Sequence, residues 1–125
     1  MTPNFKHLTT VLLGSAVLLT AACSNLKTPA TADVAVSKAA VDSAAGAGAA
    51  EFAPVEMRAA REKMALANKA MAAKDYKLAI DLANQAQADA KLAQGKANSA
   101  KAQMASDALQ EDIRVLREEL ERANK

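Results

Sequence analysis

The chain has 125 residues, with 16 Lys+Arg against 14 Asp+Glu, a formal net charge of +2, one His, one Cys and no Trp. Near-neutral charge without a concentrated basic face argues against a nucleic-acid partner. One His and one Cys supply neither clustered metal ligands nor a Cys/His catalytic pair. The carboxylates, lysines and single mature-region tyrosine are spread along the chain, so no catalytic residue, metal or cofactor is expected.

The chain opens on a short positive start, Lys6 and His7, followed by residues 8–22 without a charge and small residues just before Cys23. That is the layout of a secretory signal. An apolar run of 15 residues is shorter than the roughly twenty that a membrane-spanning helix needs. A lone cysteine in an exported chain can be a free or interchain thiol, but its place at the end of the apolar run argues for lipidation.

The run Leu18-Leu19-Thr20-Ala21-Ala22-Cys23 resembles a bacterial lipobox, with Thr20 where Leu is more usual. The resemblance implies cleavage between Ala22 and Cys23 and acylation of the new terminal cysteine. Residues 1–22 are therefore read as a lipoprotein signal peptide. Each buried methylene contributes about 0.8 kcal/mol, and two or more chains hold firmly where one does not. Likeness to Gram-negative sorting adds that Ser24, in place of Asp, directs the protein to the outer membrane, lipid-anchored and facing the periplasm.

Removing residues 1–22 leaves 103 residues, enough for one small domain. Large apolar residues are sparse and Ala recurs every third or fourth position, so the expected fold class is all-α, with little burial per residue. Residues 23–32 are polar, contain Pro29 and read as a flexible tether. Asp33 is a candidate cap for a shorter helix over 34–50, which Gly46 and Gly48 weaken by about 1 kcal/mol each relative to Ala. Pro54 marks a break and the first turn of a new helix.

Over 54–73, Met57, Ala60, Met64, Ala67 and Met71 form one stripe at three- and four-residue intervals. Thioethers are soft metal donors, but alternation with Ala marks packing surface. Lys74-Asp75-Tyr76 reads as a turn with Asp75 as N-cap. After it, Ala79, Ala83, Ala86, Ala90, Ala93, Ala97 and Ala100 repeat at four-three spacing, predicting an antiparallel helical hairpin. Residues 33–103 are thus read as an alanine-rich helical domain.

Over 104–125 the stripe turns large, through Leu109, Ile113, Leu116 and Leu120, flanked by mixed charges. At about 1.5 Å per residue the earlier helix covers the long one only to about Ala97–Ala100. The exposed remainder is coiled-coil-like and is the expected oligomerisation surface, for a second copy or another helical protein. The alternative is a fold-back near Ser106-Asp107. Arg114 with Glu118, Arg117 with Glu121 and Glu118 with Arg122 are placed for intrahelical ion pairs.

The stretch Ala50-Glu51-Phe52-Ala53-Pro54-Val55-Glu56-Met57, the regular alanines, Asp75-Tyr76-Lys77-Leu78-Ala79 and Leu82-Ala83-Asn84-Gln85-Ala86 carry a family likeness. Over residues 32–103 the chain resembles alanine-rich bacterial envelope lipoproteins bearing a domain of unknown function of the DUF4398 type, elsewhere sometimes fused to OmpA-like domains. That resemblance implies no catalytic residues, and no OmpA-like segment accompanies it here. The chain also resembles the murein lipoproteins, which are helical, alanine-rich and end in a lysine joined to peptidoglycan. This second likeness implies possible peptidoglycan attachment at Lys125. The expected role is non-catalytic, in envelope organisation or as a helical scaffold or adaptor.

Overall fold

The computed structural model describes residues 25–125, so the signal segment, Ala22 and Cys23 lie outside the described residues. Four helices follow in order: α1 (Lys27–Gly46), α2 (Ala49–Phe52), α3 (Pro54–Ala72) and α4 (Tyr76–Ala123). The fold is all-α, an antiparallel α3–α4 hairpin preceded by α1.

Helix α1 begins at Lys27, so residues 27–32 are helical rather than tether. Pro29 falls within the first turn, where its missing N–H removes no helical bond. Asn25 Oδ1 accepts from the Lys27 N–H at 3.1 Å, and Asp33 lies inside the helix instead of capping it. The other end also differs from the expected 34–50. The helix stops at Gly46, Gly48 adopts φ +83°, and its N–H donates to the Ala45 carbonyl at 3.0 Å. Gly48 therefore terminates a helix through its left-handed freedom, instead of merely weakening one. A Cβ there would also lie 3.1 Å from Lys101 Nζ.

The break at Pro54 and the extent of α3 follow the sequence pattern, with Ala53 driven to φ −143° ahead of the proline. At the hairpin turn Lys74 takes φ 63°, with Asp75 N–H bonded to Ala70 O at 3.0 Å and Lys74 N–H to Met71 O at 3.1 Å. That pair of bonds is a Schellman closure. Asp75 then caps α4 through Leu78 N–H at 3.1 Å, as its residue type favours.

Packing against α4 sets the architecture. Helix α3 runs antiparallel to it, with Lys63 Nζ 2.6 Å from Asp89 Oδ2 and Lys96 paired to Glu56. Helix α1 runs parallel to it: Ser37 Oγ donates to Ala83 O at 2.7 Å, Gln94 Nε2 to Ser43 Oγ at 3.0 Å and Lys101 Nζ to Ala47 O at 2.7 Å. The hairpin is thereby completed into a three-helix bundle. Among the described residues, thirteen of the sixteen buried apolar residues are alanine, so the axes can approach closely. The stripe expected on α3 is buried at Met57, Ala60, Met64 and Ala67, while Ala70 replaces Met71, which is half-buried. On α4 burial runs from Ala79 to Ala97 and Ala100 is half-buried.

The Glu56–Lys96 pair ties α3 to α4 and gives the bundle an acid dependence. The Lys96 ammonium holds the Glu56 carboxyl below its usual range. A folded-state value below the unfolded one, about 4.3, stabilises above the unfolded value and is lost as pH falls through the folded one. Acidification from pH 6 to pH 3 is therefore expected to lower the melting temperature of the wild type more than that of Glu56→Gln, a difference thermal scans by circular dichroism would resolve.

Candidate functional site

Beyond Ala100 helix α4 loses all cover. It remains one unbroken helix to Ala123, and every residue from Lys101 to Lys125 is exposed, which removes the fold-back at Ser106-Asp107 as an alternative. Lys101 marks the boundary: its ammonium closes the end of α1 at Ala47 O and lies 5.7 Å from the Phe52 ring centroid. The free segment, residues 101–123, is about 35 Å long at 1.5 Å per residue. It needs no separate nucleation, because it continues a helix already fixed by the bundle.

Its two faces are chemically distinct. Leu109, Ile113, Leu116 and Leu120 share one face and are 60, 40, 59 and 64 % exposed. The opposite face carries an ion ladder. Arg114 bonds Glu111 at 2.5 Å and also pairs with Glu118, which in turn lies 3.7 Å from Arg122. The Glu111 carboxyl is held below its ordinary range by its bond from Arg114, and the same bond raises the Arg114 guanidinium. Two of the three expected ion pairs form; Arg117 and Glu121 do not pair, and Arg114 takes Glu111 as well.

The stripe and Lys125 are thus brought to one end of the molecule. The other end is fixed by the parallel packing of α1: Leu26 and the α3–α4 turn lie together, about 70 Å from the tip of the 48-residue α4. In sequence, Cys23 stands two positions before Asn25, the first described residue. Among the described residues no three His, Cys, Asp or Glu side chains gather as a metal site, and no helix is long and apolar enough to cross a membrane.

A shallow apolar groove near the hairpin turn was not foreseen. It is lined by Leu66, Ala70, Ala73, Leu78 and Leu82, with Lys69 and Asp75 at its edge. Leu66 and Leu78 are about half exposed, as is Leu92 further along α4. The sequence hides this face because Gln85 and Asp89 interrupt its apolar spacing. Met104 and Val115 are further exposed apolar residues outside the expected stripe.

The family described as Domain of unknown function (DUF4398) matches residues 32–109. The match spans nearly all of the bundle and ends at Leu109, the first large residue of the stripe. No curated protein and no solved structure matches the chain.

Proposed function

Because the chain belongs to the DUF4398 family, whose description assigns no activity, we propose from its geometry that it is a non-catalytic scaffold or adaptor in the cell envelope. It is held at the outer membrane through acyl chains on Cys23, faces the periplasm, and associates with a second copy or another helical protein through Leu109, Ile113, Leu116 and Leu120. The observation that carries this reading is the division of the molecule into two ends. The amino-terminal end of α1 lies toward the hairpin turn, while an uncovered apolar stripe stands on a stiff helix about 70 Å away. A membrane-held protein with its contact surface at the far tip can reach partners away from the lipid. The lipobox-like run ending at Cys23 supports the anchor, and Ser24 supports the outer-membrane destination.

A second reading has one supporting observation. Lys125 follows the helix end at the tip opposite the start of α1, where a bond to peptidoglycan would tie wall to membrane across the full length of α4. Intact-mass analysis of protein taken from its native envelope after lysozyme digestion separates the two. Triacylated Cys23 with an unmodified Lys125 is the expected result. Muropeptide on Lys125 would favour the tether, and an unlipidated amino terminus would overturn the anchored reading.

A further inference from the structure

We propose that the free end of α4 pairs with a second copy of this chain as a parallel, in-register, two-stranded coiled coil. This deepens the association reading above and rests on it. The spacing of the stripe fixes a heptad register in which Ile113 and Leu120 occupy a positions and Leu109 and Leu116 occupy d positions. At Ile113 a β-branched residue stands at a with Leu at the neighbouring d positions, the combination that favours two parallel strands, while the second a position holds Leu120. All four are exposed on a continuous helix, with nothing in the bundle packed against them.

Charge supplies the orientation. In this register Asp112 and Glu119 are g residues and Arg117 is an e residue. The ions that pair within the helix, Glu111, Arg114, Glu118 and Arg122, all lie away from the stripe, whereas Asp112, Arg117 and Glu119 form no ion pair among the described residues. In a parallel pair g faces the e residue of the following heptad on the partner, so Asp112 meets Arg117 twice by symmetry, and Glu119 meets the neutral Asn124. In the antiparallel arrangement that best overlaps the apolar positions, Ile113 lies opposite Leu116. Asp112 then meets Glu119, like against like, and Arg117 meets only Gln110. The unpaired charges therefore select the parallel form.

The parallel form also fits the direction of the bundle. Since α1 lies parallel to α4, two copies joined at their tips point both amino-terminal ends the same way. Two lipid anchors can then enter one membrane, and confinement there raises the effective concentration of a stripe shorter than three heptads.

The test uses the full chain in isolated envelopes, read as disulfide-linked dimer on non-reducing gels against the wild-type background. Ser106 and Ala123 fall at a and d positions in the same register. Ala123→Cys alone is expected to link to itself. Adding Asp112→Arg should reduce that dimer about tenfold, and adding Arg117→Glu as well should restore it to within about threefold, the scale of two lost and two repelling pairs. Linkage only between a Ser106→Cys copy and an Ala123→Cys copy would establish the antiparallel form and overturn the proposal, while leaving self-association standing. Ala123→Cys dimer that ignores both charge reversals would overturn the charge-selected register. No linkage in any combination would overturn this proposal and self-association together.

Discussion

Ala90→Leu is expected to lower the melting temperature of the bundle by roughly 5 to 20 °C, whereas Ala88→Leu, two residues away on the same helix, should leave it nearly unchanged. Ala90 is fully buried in the cluster where α4 meets both other long helices, beside Val41 and Ala44 of α1 and Met57 and Ala60 of α3. Three added carbons have nowhere to go without moving two helices at once. Overpacking of this kind costs about 1–3 kcal/mol, and each kcal/mol shifts a domain of this size by about 4–8 °C. Ala88 is exposed, so the same chemical change there meets only solvent and should stay within about 0.5 kcal/mol. Thermal unfolding followed by circular dichroism distinguishes the two; equal melting temperatures would mean that α4 does not pack through its alanine stripe.

Ending the chain at Ser106 is expected to abolish self-association while leaving bundle stability within a few degrees. The last buried residue of α4 is Ala97, and Lys101, which closes the end of α1, is retained. Loss of residues 107–125 removes Leu109, Ile113, Leu116 and Leu120 together with the ion ladder, but among the described residues only the exposed bond from Gln103 to Asp107 connects that segment's side chains to the part retained. A helix end that buries nothing contributes little to the fold it extends. Its apolar face is then available for intermolecular burial.

The regular parts of this structure were legible because alanine spacing encodes them directly. Ala79 to Ala97 recur at four-three intervals and every one is buried, and the comparison of helix lengths located the end of the cover at about Ala97–Ala100. The stripe on residues 109–120 was legible for the same reason, as large residues replaced small ones where cover ran out. What escaped is local chemistry that spacing does not carry. Pro29 resembles a helix breaker until it is placed in a first turn, where it is harmless. Gly48 reads as a helix weakener until its left-handed φ makes it a helix terminator. Ser37, a polar residue on the buried face of α1, obscured the parallel packing, because its hydroxyl is satisfied by a carbonyl 46 positions away in sequence. For Arg117 the i,i+4 spacing to Glu121 suggested a pair that does not form, leaving its charge at the edge of the stripe.

The central claim, that the uncovered end of α4 is an association surface and not a solvated extension, is tested most directly by solution mass. Residues 24–125 and residues 24–106 would be compared by sedimentation equilibrium at the same high micromolar concentration. A mass above one chain for the longer form and a single-chain mass for the shorter is the predicted result. The same mass per particle for both, whether monomeric or assembled, would contradict the claim: the stripe of Leu109, Ile113, Leu116 and Leu120 would then play no part in association.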